Sequence, residues 1–159
     1  VLAALESLGL PLAESAIREG LANARLAGRM QRLQDEPLVI VDVAHNPHSA
    51  AYLASQLRQI PGKGKRRAVV GMLKDKDMAG SLAELDGLID QWFLASLTGP
   101  RAATAEQLAA ALGDGQGSAA TFDGVSAAYG AALAASSPDD VVIVFGSFYT
   151  VADVLAASA

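Results

Sequence analysis

The residues best equipped for chemistry lie in short runs that follow apolar stretches. Asp42-Val43-Ala44-His45-Asn46-Pro47 sets a carboxylate, an imidazole and an amide close together, directly after Leu38-Val39-Ile40-Val41. A carboxylate accepts hydrogen bonds from hydroxyls, an imidazole exchanges protons near neutral pH, and an amide both donates and accepts. Leu73-Lys74-Asp75-Lys76-Asp77 adds two ammonium groups that suit a phosphate or a substrate carboxylate, and Gly146-Ser147-Phe148-Tyr149-Thr150 adds hydroxyls. Gathered in one place, these groups fit a nucleotide or an acidic substrate. Each run also has a plainer reading. The first is a turn that caps a helix, the second a salt-bridged turn with Asp77 as N-cap, and the third an ordinary strand-to-helix turn.

Whether the runs meet depends on the elements between them. Leu38 to Asp42 is rich in β-branched residues and leads into a helical pattern over 47–59, the signature of a parallel strand feeding a crossover helix. The same alternation predicts strand 67–72 before helix 77–86, strand 90–96 before helix 104–112, a short strand over 119–122 before helix 124–135, and strand 140–146 before helix 149–157. Met30 to Leu33 adds a first strand. Thr104 with Gln107 three residues later forms a capping box that marks one helix start. The fold expected is α/β, a doubly wound and mostly parallel sheet of about six strands flanked by helices, Rossmann-like in style. In such sheets the strand ends bring remote loops to one edge, where ligands bind.

Two helices are expected before this pattern, over 1–8 and 13–24, broken at Gly9-Leu10-Pro11. Val1 is not Met, and Leu2, Leu5 and Leu8 recur at helical spacing, so the chain reads as a piece of a longer protein cut in mid-helix. The glycine-rich stretches Pro61-Gly62-Lys63-Gly64 and Gly113-Asp114-Gly115-Gln116-Gly117 read as exposed turns.

Composition narrows the classes. A chain of 159 residues with 52% hydrophobic residues can build one ordinary core. It has no cysteine, which excludes disulfides, thiolate zinc sites and cysteine nucleophiles, and fits a cytoplasmic location. A net charge of -5 argues against nucleic acid as partner, and the basic run Lys63-Gly64-Lys65-Arg66-Arg67 reads as a solvated loop before a strand. No apolar stretch reaches the roughly 20 residues that span a bilayer, so no membrane partner is expected. His45 and His48 with one aspartate fall short of a zinc set, and no metal ligands are assigned. Ser147, His45 and Asp42 lack the Gly-x-Ser-x-Gly elbow of a hydrolase triad. No Gly-x-x-x-x-Gly-Lys-Ser/Thr and no Gly-x-Gly-x-x-Gly occurs, so the chain does not cradle a triphosphate in either way.

Gly28-Arg29-Met30-Gln31, Val41-Asp42-Val43-Ala44-His45-Asn46-Pro47, Gly71-Met72-Leu73-Lys74-Asp75-Lys76-Asp77, Gly99-Pro100-Arg101-Ala102 and Phe145-Gly146-Ser147-Phe148-Tyr149-Thr150-Val151 follow one another in register. In that order they resemble the C-terminal domain of bacterial bifunctional dihydrofolate synthase/folylpolyglutamate synthase enzymes, within the Mur ligase superfamily. The resemblance implies residues 1–26 as the helical end of a preceding ATPase domain and 27–159 as the C-terminal domain. It implies an ATP-dependent acid–amino acid ligase that joins glutamate to a pteroate or folate carboxylate through an acyl phosphate, with this piece inactive alone. On that resemblance Arg29 reaches the ATP phosphates, Asp42 takes the ribose hydroxyls, His45 lies beside the phosphates and Asn46 shapes the loop. Lys74 or Lys76, with Ser147, would hold the incoming glutamate. Mg2+, the phosphate loop and most phosphate contacts would come from the preceding ATPase domain, and the full-length protein is expected to be a monomer. Two other readings stay open: a stand-alone small-ligand module of the same fold, and the C-terminal domain of a ligase for peptidoglycan precursors.

Overall fold

The computed structural model describes residues 7–9, 13–24, 26–61, 64–113 and 117–158. In chain order these form α1 (Glu14–Asn23), β1 (Gln31–Asp35), β2 (Leu38–Val41), α2 (Pro47–Gln59), β3 (Arg66–Val70), α3 (Met78–Ala83), β4 (Gln91–Ala95), α4 (Ala105–Leu112), β5 (Ser118–Phe122), α5 (Val125–Ala134), β6 (Val141–Phe145) and α6 (Phe148–Ala157). The six strands make one sheet in the order β1-β2-β6-β3-β4-β5. All neighbours pair parallel except β1, which runs antiparallel to β2. Among the described residues no helix is long and apolar enough to cross a membrane.

Strand periodicity explains the layers. Successive side chains point to opposite faces, so Ile40, Ala68, Val70, Trp92, Leu94, Ile143 and Phe145 face one cluster while Val39, Val41, Val69, Phe93, Val142 and Val144 face the other. Helices α2, α3 and α4 bury Leu53, Leu57, Leu82 and Leu108 on the first face. Helices α5 and α6 bury Val125, Ala128, Val151 and Val154 on the second. Strand β6 is apolar throughout because it is covered on both sides. Helix α1 stays outside these layers, with only Ile17 half-buried among its described side chains.

From residue 13 onward the expected elements are present, with shifted ends. The first strand begins at Gln31 rather than Met30, and its direction was not legible. The helix expected over 77–86 ends at Ala83, because Leu85, Asp86 and Leu88 donate to carbonyls three residues back and tighten the chain into turns that end at Gly87 and Leu88. Arg66 and Arg67 belong to β3 rather than to a solvated loop, and Arg67 is buried. Residues 1–6 of the first expected helix, 10–12 at the break after it, and 62–63 and 114–116 of the two glycine-rich stretches lie outside the described residues.

Candidate functional site at the carboxyl edge

Parallel strands β2, β6, β3 and β4 all end on the same edge. Strand β2 sends its chain into α2 on one face, while its neighbour β6 sends its chain into α6 on the other. Connections that part in opposite directions open a crevice between those two strand ends, the place where open α/β sheets bind ligands. Asp42 to Asn46 and Gly146 to Thr150 flank this crevice. Gly146 N–H donates to the Ala44 carbonyl at 2.9 Å, and Thr150 Oγ1 donates to the Gly71 carbonyl at 2.7 Å, tying the ends of β2, β6 and β3 together. The approach is close: a Cβ on Gly146, whose φ is +114°, would stand 2.5 Å from the Gly71 carbonyl oxygen. Only glycine fits there.

Asp42 is 6% exposed, and both carboxylate oxygens are engaged. Oδ1 accepts from Ala44 N–H at 2.8 Å and Oδ2 from Met30 N–H at 2.9 Å. Met30 has φ +43°, a left-handed backbone that side-chain-bearing residues seldom adopt. Asp42 therefore pins the strained turn that carries Arg29. Val43 N–H donates to the Gly28 carbonyl at 2.8 Å, and a Cβ on Gly28 would meet Val43 at 2.9 Å. Because β1 is antiparallel, its start lies beside the end of β2, and this puts exposed Arg29 on the carboxyl edge. Arg29 lines a cleft of about 590 Å³ with Ala24, Leu26 and Gln31.

His45 Nδ1 lies 2.8 Å from the Val43 carbonyl, which can only accept, so that nitrogen carries the hydrogen, and Nε2 has no hydrogen-bond partner among the described residues. Asn46 is the N-cap of α2: its Oδ1 accepts from Ser49 N–H at 2.9 Å, and Ser49 Oγ accepts from Asn46 N–H. Ser147 caps α6, with Oγ accepting from Thr150 N–H at 3.1 Å, and is 4% exposed. Phe148 beside it is 60% exposed, with its ring centre 6.2 Å from that of His45.

Loop 71–77 brings the lysines. Asp77 caps α3 by accepting from Gly80 N–H, as the plainer reading of that run expects. Asp75 accepts from Arg101 Nη2 at 2.7 Å and lies 3.6 Å from Lys76 Nζ. The hydrogen bond from Arg101 holds the Asp75 carboxyl below its ordinary value, and the same bond raises the Arg101 guanidinium. Lys74 pairs with no carboxylate among the described residues; its N–H donates to the Arg101 carbonyl at 2.8 Å.

His45, Lys76 and Ser147 line one cavity of about 150 Å³ together with Leu73, Arg101, Gly146, Phe148 and Tyr149. Asp42 lies buried below this edge, Asn46 is taken up by its cap, and Lys74 is not among the residues that line the cavity. Larger clefts run along β1, but the one of about 390 Å³ is lined mainly by apolar and amide side chains. Residues 28–148 match the family model described as Mur ligase, glutamate ligase domain. The chain belongs to that family.

The dihydrofolate synthase/folylpolyglutamate synthase of Escherichia coli K12 is 51% identical over 154 residues, which cover 97% of this chain and 36% of the relative. Among solved structures, E. coli FolC in complex with DHPP and ADP superposes with a TM-score of 0.90 at 49% identity, covering 98% of this chain and 37% of the other. A bifunctional folylpolyglutamate synthase/dihydrofolate synthase with Mn, AMPPNP and L-glutamate bound gives 0.88 at 51% identity over the same shares. The chain thus spans about a third of the length of these relatives.

In this Mur ligase domain the edge can do two things chemically. Arg29 presents a permanent cation that is tied to no carboxylate among the described residues, and the small cavity offers Lys76, Arg101 and the ring of His45 to an anion. Among the described residues no group of three or more His, Asp or Glu side chains is placed to hold a metal ion. Arg101 had no assigned role in the sequence. The signals for it were its place in the run Gly99-Pro100-Arg101-Ala102 and the position of that run in the loop after strand β4, on the edge shared by the other runs.

Proposed function

We propose that this chain is the closing domain of an ATP-dependent ligase that adds L-glutamate to dihydropteroate and to tetrahydrofolate. The observation that carries the reading is the cavity at the carboxyl edge, whose lining holds two cationic side chains and no carboxylate. The relatives' names supply the substrate class. Residues 1–26 would be the end of a preceding ATPase domain and 27–159 the domain proper; the exposed surface of α1 and the start of the family match at residue 28 support that boundary. The partner would be that preceding domain of the same chain, working as a monomer in the cytoplasm. Mg2+ is assigned to that domain, since the donor set described here does not fit a metal.

A carboxylate is a poor electrophile, so the reaction transfers the γ-phosphoryl of ATP to the pteroate or folate carboxylate, releasing ADP. The glutamate amine attacks the resulting acyl phosphate, forms the amide and expels phosphate. Arg29 would stabilise charge on the transferring phosphoryl, as a fixed cation can. Each Asp42 oxygen already accepts one backbone N–H; a carboxylate has about four acceptor directions, which leaves room for a ribose hydroxyl. His45 would meet the phosphates through Nε2, and Lys76 or Lys74, together with Ser147, would hold the glutamate; the cavity lining favours Lys76. Closure of the edge over the other domain would keep water from the acyl phosphate.

The test is an assay of the complete protein with dihydropteroate or tetrahydrofolate, ATP and glutamate. Amide product with equal amounts of ADP and phosphate is expected, and none from the 159-residue chain by itself. Turnover by the isolated chain, or amide formation without ATP, would overturn the proposal.

A further inference from the structure

Arg29 is exposed, and among the described residues its side chain makes no hydrogen bond and no ion pair. Its direction is therefore set by the backbone that carries it. That backbone is unusual: Gly28 and Met30, on either side of Arg29, both take the left-handed region, at φ +68° and +43°. Glycine adopts it freely, but methionine does not, and such a turn persists only where its surroundings hold it. One support is packing. A Cβ on Gly28 would stand 2.9 Å from Val43 and 3.1 Å from Val151, so the turn is seated closely on the end of β2 and on α6.

The other support is hydrogen bonding, and here each amide of the turn has its own acceptor. Gly28 N–H donates to Gln31 Oε1 at 2.8 Å, Arg29 N–H to the Leu26 carbonyl at 3.1 Å and Met30 N–H to Asp42 Oδ2 at 2.9 Å. Two of the three acceptors are side-chain oxygens. Asp42 has a second duty, since Oδ1 takes Ala44 N–H and the ligase reading gives the same carboxylate the ribose. Gln31 has no other duty in the chemistry above. It opens β1 opposite Val41, where the sheet fixes its backbone, and its half-buried side chain folds back to the residue three positions earlier. With Arg29 it lines the cleft of about 590 Å³.

We infer that Gln31 is a positioning residue for Arg29: by accepting the Gly28 N–H it holds the turn in the conformation that presents the guanidinium to the crevice. This rests on the ligase reading, in which Arg29 meets the transferring phosphoryl. Without the amide oxygen Gly28 N–H loses its acceptor and Met30 can relax toward an ordinary φ, which swings the residue between them. A cation displaced by about 1 Å loses much of its hold on a transition state, whereas substrate affinity, set by many other contacts, changes little.

The experiment measures kcat and KM for ATP in glutamate addition by the complete protein and by its Gln31→Met, Gln31→Glu, Arg29→Ala and Arg29→Ala/Gln31→Met variants, with melting temperatures on the same preparations. Gln31→Met keeps the length of the side chain and removes the acceptor. The expected result is a loss of about 10- to 100-fold in kcat, with KM for ATP within about threefold of wild type. Gln31→Glu keeps an acceptor oxygen and recovers most of that loss. The double variant decides between positioning and mere structure. A residue that acts through Arg29 has nothing left to position once Arg29 is gone, so the double variant runs within about twofold of Arg29→Ala. A full second loss on top of Arg29→Ala overturns the inference, as does a Gln31→Met protein with wild-type kcat, one whose loss follows from unfolding, or a Gln31→Glu protein as slow as Gln31→Met. An Arg29→Ala protein at the wild-type rate removes the role that the ligase reading gives Arg29, and the inference with it. A slow Arg29→Ala beside a fast Gln31→Met sinks the inference alone, so the two failures are distinct.

Discussion

The two edges of the sheet treat charge in opposite ways. At the amino edge Asp140, 6% exposed, accepts from Lys65 N–H at 2.6 Å, from Ser137 N–H at 2.7 Å and from Arg67 Nη1 at 2.6 Å, and Arg67 Nε donates to Gln91 at 2.9 Å. The buried charges Arg67 and Asp140 are paired with each other, and the Ser137 N–H ahead of the others holds the Asp140 carboxyl below its usual value. At the carboxyl edge Arg29 and Lys74 have no carboxylate partner among the described residues, and Lys76 and Arg101 share one. Buried pairs that are complete serve the fold, whereas cations left in excess at a crevice serve a ligand. On the proposed function, stability belongs to one end of the molecule and chemistry to the other.

The largest stability effect should come from breaking the amino-edge pair. Arg67→Met leaves Asp140 buried without its cation and is expected to cost about 3–5 kcal/mol in a denaturant titration, with the KM values of the remaining folded protein unchanged. The pair also sets an acid limb. A carboxyl lowered in the folded state stabilises above its unfolded value of about 4 and loses that contribution as pH falls through the folded value. Asp140→Asn should therefore flatten the fall in stability below pH of about 4. A variant at Arg67 that changes catalysis but not stability would erase the distinction between the edges.

Asp42 sharpens the comparison, because it lies on the chemical edge yet is bonded like a structural group. Asp42→Ala orphans the N–H groups of Met30 and Ala44 and should cost about 1–3 kcal/mol of stability as well as activity, read by melting and turnover on the same preparation. Asn46→Ala, which removes only the α2 cap, should cost about 1 kcal/mol and leave the ATP dependence of the rate in place.

Much of this was legible in the sequence. The alternation of β-branched runs with helical stretches gave the strands and helices, since each covered strand must be apolar and each crossover amphipathic. Strand order was not, because the insertion of β6 between β2 and β3 depends on pairings between residues 103 and 75 positions apart. The runs at Asp42, Lys74 and Ser147 pointed to one edge, and the edge is where the structure gathers them. What stayed hidden were partners remote in the chain: Arg67 looked solvated because Asp140 is 73 residues away, and Arg101 had no role because Asp75 is 26 residues away. Met30's left-handed backbone, and with it the second duty of Asp42, left no mark in residue type.

The central claim is that the carboxyl edge acts on phosphate while the fold is secured elsewhere, and Arg29→Ala in the complete protein tests it most directly. A cation that stabilises phosphoryl transfer is worth on the order of 10³-fold in kcat. The expected result is a loss of that order in ATP-dependent glutamate addition, with a melting temperature equal to wild type. Turnover at the wild-type rate, or a loss explained by unfolding, would contradict the account.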